Sequence, residues 1–436
     1  MNPTQKFSGL KSFLILWGGQ SVSALGSAMT NYALIIWAYR QQGTATSITL
    51  LSFFTYLPSI LFCFMAGTLA DKWSKKRIML LSDLVAALGT VTVYTLYKTG
   101  QLQIWHLYAV NFLNSLMNAF QTPASYVAVS LLAPKEQYTR VSGLQNFSNS
   151  VVTIANPALA TAVLALGGLE TVLIADLATF VVAFVSLAFF IRIPEAPVTE
   201  KKEEMKAGFW HGCLTGLRFL REHKPILHII LFFSFINLLA YITGFGILPA
   251  MILARSGDSQ AALGMVSSAI GLGTLLGSVL VTLMKPAKNR TRVVLISCGV
   301  SFLLCDIIWA LGQSVPVWVF AAFVGNLPLP FLNANLTTIM RTSVPTPLHG
   351  RVFSTRDTLQ FCTIPLGLFL GGFLADHVFE PFMAGGTALG GYLSVLVGSG
   401  RGSGMAVMFL ITGVTGMAAS FLSLKSRSIR SLDSRN

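Results

Sequence analysis

Twelve long runs with few or no charges are separated by gaps, and Lys and Arg collect in every second gap. The N-terminus, the even gaps and the C-terminus carry Lys6 and Lys11, Lys72 to Arg77, Lys135 and Arg140, Arg192 to Lys224, Lys285 to Arg292, Arg341 to Arg356, and Lys425 to Arg435. These seven segments hold 26 of the 30 basic residues; the odd gaps hold only Arg40, Lys98, Arg255 and Arg401. Cytoplasmic loops of membrane proteins keep Lys and Arg, while the opposite side is poor in them. The alternation therefore predicts a polytopic inner-membrane protein with both termini in the cytoplasm.

Composition agrees. Of 436 residues, 53% are hydrophobic and 11% charged, against about 25% charged in a soluble chain. Spans are expected near 12–39, 47–69, 78–97, 105–130, 143–166, 171–191, 225–254, 261–284, 293–313, 316–340, 358–375 and 404–424. Each approaches the roughly 20 residues that cross hydrocarbon as a helix. The first run follows only Lys6 and Lys11 and is too long for a signal-peptide core, so it reads as an uncleaved helix. The net charge of +14 is accounted for by loop topology and not by nucleic-acid affinity. Cys63, Cys213, Cys298, Cys305 and Cys362 form no CxxC pair and adjoin no His cluster, so neither a metal site nor a disulfide framework is expected; no cofactor is expected either.

Two halves emerge on either side of the longest basic gap. The division expected is 1–191, a linker at 192–224, and 225–436, with an interfacial amphipathic helix at Phe209–Leu220 inside the linker. A shift of 211 residues superposes Phe112 on Phe323, Phe120 on Phe331, Pro134 on Pro345, and Arg140-Val141 on Arg351-Val352. Repeated six-helix halves are the construction of many secondary transporters, with the substrate site near the midplane.

Uncharged polar residues inside the spans fall on helical faces. Span 1 carries Gln20, Ser23, Ser27 and Asn31; span 4 carries Asn111, Asn114, Asn118 and Gln121. Span 5 carries Gln145, Asn149, Thr153 and Asn156; span 7 has Ser234, Asn237 and Tyr241, and span 10 has Asn326, Asn333 and Thr337. An amide in hydrocarbon must meet another helix or water. Single amides are accounted for by interhelical hydrogen bonds, whereas aligned stripes fit a wet central cavity. The best substrate contacts are Gln20, Asn31, Asn114, Asn118, Asn237, Tyr241, Asn326 and Asn333. No stripe contains a charge, which disfavours a strongly ionic substrate.

Three acids lie within spans: Asp83, Asp176 and Asp306. An acid at a helix centre is costly and needs a reason. Asp83 is read as pairing with the nearby Lys75-Lys76-Arg77 cluster. Asp176 and Asp306 sit deeper and are the candidates for proton coupling, although spans 6 and 9 show no cavity stripe. Gly273-x-x-x-Gly277 in span 8 is a close-packing signal, and Pro249 with Gly244 and Gly246 suggests a bend in span 7. No phosphate-binding glycine loop and no nucleophile set is present, so an enzyme is not expected and transport would draw on an existing gradient.

The segment Gly67-Thr-Leu-Ala-Asp71-Lys-Trp-Ser74-Lys75-Lys76-Arg77 resembles the signature loop G-x-x-x-D-x-x-G-R-[RK] of the major facilitator superfamily. Gly216-Leu-Arg-Phe-Leu-Arg221, Asp376-His-Val-Phe-Glu380-Pro381 and Gly398-Ser-Gly-Arg401-Gly are similar to its bacterial macrolide-efflux and multidrug branch. The resemblance implies an all-α protein of twelve transmembrane helices in two pseudo-symmetric six-helix bundles. It also implies a gating latch at Gly67, Asp71 and Arg77, and export of bulky, mostly apolar drugs by proton antiport; a monomer is expected. Its partners would be a small hydrophobic substrate, protons and the lipid bilayer. The chain departs from the family with Ser74 for Gly, Lys75 for Arg, Asn114 where many proton-coupled members carry Arg, and Asn156-Pro157 for Gly-Pro. An exporter of an endogenous metabolite or siderophore would share the fold, and a membrane sensor or assembly partner that transports nothing is the rival from another class.

Overall fold

A computed structural model of the protein describes residues 3–132, 138–191, 193, 217–284, 287–344 and 349–432. Among these residues the regular secondary structure is helical throughout. The first four spans are the helices Pro3–Gln42, Ala45–Lys72, Lys75–Lys98 and Ile104–Leu132. Span 1 thus starts earlier than the expected 12–39, because the polar residues ahead of the apolar run continue the same helix.

Spans 5 and 6 are one helical run, Tyr138–Val185, broken at Gly168 (φ 68°, ψ −168°). A straight helix of 48 residues would be about 72 Å long against a hydrocarbon thickness of about 30 Å. The chain must therefore turn inside it, and glycine enters that left-handed backbone region without a Cβ penalty. Span 7 comprises Lys224–Ile242 and Leu248–Arg255, joined by a π-helical turn at Thr243–Ile247. This turn is the bend expected from Gly244, Gly246 and Pro249, and its wide turn leads directly into the proline-bearing helix. Span 8 is Gln260–Leu283, and span 9 runs from Arg290 to Leu311 with a π-turn at Leu303–Ile307. Span 10 divides into Val315–Asn326 and Leu329–Ser343, span 11 runs from His349 through a π-turn at Ala375–Phe379, and span 12 is Ser403–Ser423.

By length and apolar composition the described residues contain nine candidate membrane spans, one of which, Phe147–Phe190, holds the Gly168 break and so supplies two crossings. Spans 1 and 4, the most densely striped with amides and hydroxyls, complete the twelve. The connector between spans 11 and 12 contains a further helix, Ala388–Val397, that the expected span boundaries left as loop. Most of the expected linker helix at Phe209–Leu220 lies outside the described residues; 217–222 is helical.

The chain forms two compact units, Met1–Gly43 with Leu50–Val198, and Thr44–Thr49 with Thr199–Asn436. In the first, Phe13, Leu16, Ile78, Met79 and Leu187 build one apolar cluster, and Ala33, Leu34, Leu107, Leu169 and Leu173 another. In the second, Ile226, Ile229, Phe233, Val294, Phe302, Ile339 and Met340 pack together. Leu81, Leu84, Leu88 and Val91 on span 3 stay exposed and point away from these cores, as a lipid-facing stripe must.

The first turn of span 2 belongs to the second unit for a visible reason. Backbone N–H groups of Ala45 and Thr46 donate to the two carboxylate oxygens of Asp376 at 2.9 and 2.7 Å. Glu380 serves the start of span 12 in the same way, accepting from Gly402 N at 3.1 Å and Met405 N at 3.0 Å. Both acids of the span 11–12 connector are therefore helix caps, satisfying N–H groups that have no intrahelical partner.

Span 8 packs on span 10 through Gly273 and Gly277, where an added Cβ would collide with the backbone carbonyl oxygens of Phe323 and Leu327. Neither carbonyl can rotate away as a side chain does. Gly273→Ala and Gly277→Ala should each destabilise the protein by about 1–3 kcal/mol, read as a lower midpoint of thermal unfolding in detergent. Gly391→Ala, with open space around the glycine, should leave that midpoint unchanged.

Candidate substrate cavity

The polar stripes of spans 1 and 4 face one another across a cavity of about 990 Å³ inside the first unit. Gln20, Ser23, Ser27 and Asn31 line one wall, and Asn111, Asn114, Asn118 and Gln121 another. Span 5 adds Gln145, Ser148 and Asn149, and span 2 adds Thr55, Tyr56 and Ser59. Phe13, Trp17, Val129 and Phe180 supply apolar wall. The helices are tied by polar contacts close to this surface. Ser115 Oγ donates to Thr55 O at 2.5 Å, Ser21 and Ser148 share a hydrogen bond of 2.8 Å, and Trp17 Nε1 donates to Leu144 O at 3.1 Å.

Two carboxylates also line the cavity, which corrects the expectation of an uncharged wall. Asp83 is not held by Lys75, Lys76 or Arg77. Its Oδ2 accepts from Gln20 Nε2 at 3.0 Å and its Oδ1 from Gln121 Nε2 at 2.6 Å, while Lys76 Nζ donates to Ala188 O and Ile191 O, both at 2.8 Å. The helical step explains the change: Asp83 lies on the face of span 3 shared with Ala86, Ala87 and Thr90, and that face lines the cavity. Asp176, on a span without a stripe, reaches the same cavity. Its Oδ1 accepts from Ser27 Oγ and its Oδ2 from Thr90 Oγ1, each at 3.1 Å, and the residue is only 5% exposed. Gly26 permits this contact, because a Cβ there would run into Thr179 and the Asp176 backbone.

Four expected contacts lie elsewhere. Asn237, Tyr241, Asn326 and Asn333 are in the second unit and line no part of this cavity. Asn237 Nδ2 donates to Gln360 O at 2.9 Å, and Tyr241 stacks on Phe245 with ring centroids 4.7 Å apart. Asn326 is 8% exposed and its Nδ2 donates to Ala322 O at 2.7 Å beside Cys305 Sγ. The buried amide is thus satisfied mainly within its own helix, with Cys305 of span 9 as its contact across helices. Asn333 is exposed.

Asp306 is 8% exposed in the second unit, and Thr243 Oγ1 lies 3.2 Å from its Oδ1 and 3.1 Å from Thr412 Oγ1. This cluster joins spans 7, 9 and 12 at two π-turns. Of the expected latch, Arg77 is exposed in the first turn of span 3; Gly67 and Asp71 fall on the helix of span 2, with side chains outside the described residues.

The pattern of the Major Facilitator Superfamily matches residues 16–367. Macrolide efflux protein A of Streptococcus pyogenes is 26% identical over 86% of this chain and 92% of its own length. The multidrug efflux pump Tap of Mycolicibacterium fortuitum is 25% identical over 83% and 88%. Among solved structures, the nucleoside transporter NupG aligns with a TM-score of 0.63 at 14% identity, covering 95% of this chain and 98% of that one. A bacterial homologue of the lysosomal transporter Spinster aligns with a TM-score of 0.65 at 14% identity, covering 98% of each chain.

Each glutamine amide satisfies one oxygen of Asp83, and a hydrogen bond to a charged group contributes about 1.5–3 kcal/mol. Gln20→Leu and Gln121→Leu should each lower unfolding stability by about that amount. In an Asp83→Asn background both losses should shrink, the coupling that a double-mutant cycle measures.

Proposed function

The chain belongs to the major facilitator superfamily, a family of transporters and not of enzymes, and from that premise we propose that it exports hydrophobic drugs, macrolide-like or otherwise, from the cytoplasm by proton antiport. It is a multi-pass membrane protein that moves small molecules. The cavity of about 990 Å³ in the first unit carries the finer reading, since it pairs apolar and aromatic wall with amides and hydroxyls. A bulky substrate needs apolar contact for its body and a few polar groups for orientation. The drug-exporting relatives support the same direction of transport. We place the protein in the cell membrane as a monomer with both termini cytoplasmic, in keeping with its basic loops.

Alternating access has the site open first to the cytoplasm and then to the outside. Gln20, Asn31, Asn114 and Asn118 would contact substrate from the first half, and Asn237, Tyr241, Asn326 and Asn333 are the candidates from the second. The latch of Gly67, Asp71 and Arg77 would hold one of the two states.

Coupling requires a carboxylate that can take up and release a proton. Asp176 and Asp306 fit this role because hydroxyl partners can donate to a carboxylate and accept from a carboxylic acid. Asp176 reaches the cavity directly through Ser27 and Thr90. A proton entering down 100 mV supplies about 2.3 kcal/mol, equivalent to roughly a fifty-fold concentration ratio for a neutral substrate.

The reading is tested in a pump-deficient bacterial host carrying this protein. Erythromycin accumulation should fall several-fold on expression and recover when a protonophore is added. A panel of apolar drugs whose accumulation never changes would sink the export reading; insensitivity to the protonophore would remove proton antiport alone. Asp176→Asn should abolish the uncoupler-sensitive part. Asp71→Asn should slow transport while membrane insertion, followed by a fluorescent fusion, stays intact.

A further inference from the structure

We propose that Asp83, framed by Gln20 and Gln121, is the residue that selects cationic substrates in the first-unit cavity. This inference rests on that cavity being the substrate site and adds the charge of what it takes. The chain as a whole carries +14, yet its two lining carboxylates, Asp83 and Asp176, face no lining Lys, Arg or His. Among the described residues, the walls thus carry charge of a single sign. Low-dielectric walls concentrate such a field, so a cation is drawn in and an anion is repelled.

The two carboxylates are presented differently. Asp176 is 5% exposed, and each of its oxygens is already engaged by a hydroxyl. Asp83 is only partly buried, and each of its oxygens meets one amide N–H, at 3.0 and 2.6 Å. Two N–H donors suit a carboxylate acting purely as acceptor, and a carboxylate offers about four lone-pair positions. Asp83 is therefore fixed in orientation with acceptor capacity left for a ligand. The amides also hold it without neutralising it. A neutral frame leaves the negative charge available for pairing, where an Arg or Lys partner would have cancelled it. An unpaired carboxylate inside a membrane is costly, and a bound cation removes that cost only while it is bound. Trp17 and Val129 in the same walls offer apolar surface to the rest of such a molecule.

The test uses two probes of nearly equal shape and opposite charge, tetraphenylphosphonium and tetraphenylborate. Equilibrium binding of radiolabelled tetraphenylphosphonium is measured on the full-length protein in phosphatidylcholine nanodiscs, with no gradient and no transport. Wild-type protein should bind it saturably, and tetraphenylborate should fail to compete. Asp83→Asn should weaken binding tenfold or more, and Asp83→Glu should retain most of it. The two-probe comparison on wild-type protein needs no variant, so it stands even where Asp83→Asn does not fold. The proposal is overturned if tetraphenylphosphonium does not bind, if tetraphenylborate competes equally, or if well-folded Asp83→Asn binds as wild type does. Drug export could survive each of those outcomes as export of neutral compounds. Conversely, binding with this selectivity, alongside unchanged accumulation in cells, would defeat the export reading and leave the assignment of Asp83 in place.

Discussion

A carboxylate inside hydrocarbon must be answered by donors, and in the first unit those donors come from other helices. Asp83 on span 3 takes an amide from span 1 and another from span 4. Asp176 on span 6 takes hydroxyls from spans 1 and 3. Four helices are thereby held in one register by two acids. Moving any of them along its axis by a single turn, about 5.4 Å, would break at least one of these hydrogen bonds. The wall of amides follows from the same constraint, because Asn and Gln side chains beyond hydrogen-bonding reach of a neighbour are tolerated there only against an aqueous space.

The second unit meets the constraint in a different way. Asp306 accepts from Thr243, which also meets Thr412, and Asn326 is held by its own helix and Cys305. The π-turns at Thr243–Ile247 and Leu303–Ile307 put two of these groups on widened turns, where backbone and side chain share hydrogen bonds. Gly273 and Gly277 let span 8 approach the carbonyls of span 10 directly.

Much of this was legible along the chain. The basic alternation located the spans, and the stripes of spans 1 and 4 line the cavity residue for residue. A stripe reports its helical face through its period, which survives folding. Asp83 was misread because its sequence neighbours are cations, whereas its partners lie 63 and 38 residues away. One acid among apolar residues has no period, so nothing in span 6 indicated where Asp176 would point. In span 7, Asn237 donates to Gln360 O, a partner 123 residues away that the stripe's period does not indicate. The π-turns and the helix Ala388–Val397 leave no periodic mark either, since each is shorter than the window in which a helical face can be recognised.

On the proposed exchange of protons for cations, the charge of the cavity bears on what drives transport. Exchange of one inward proton for one outward monovalent cation moves no net charge across the membrane. The electrical potential would then do no work on the cycle, and the pH difference alone would set the limiting gradient. A cell that keeps a large voltage but a small pH difference would gain little protection from such an exchanger, whereas one in acidic surroundings would gain most.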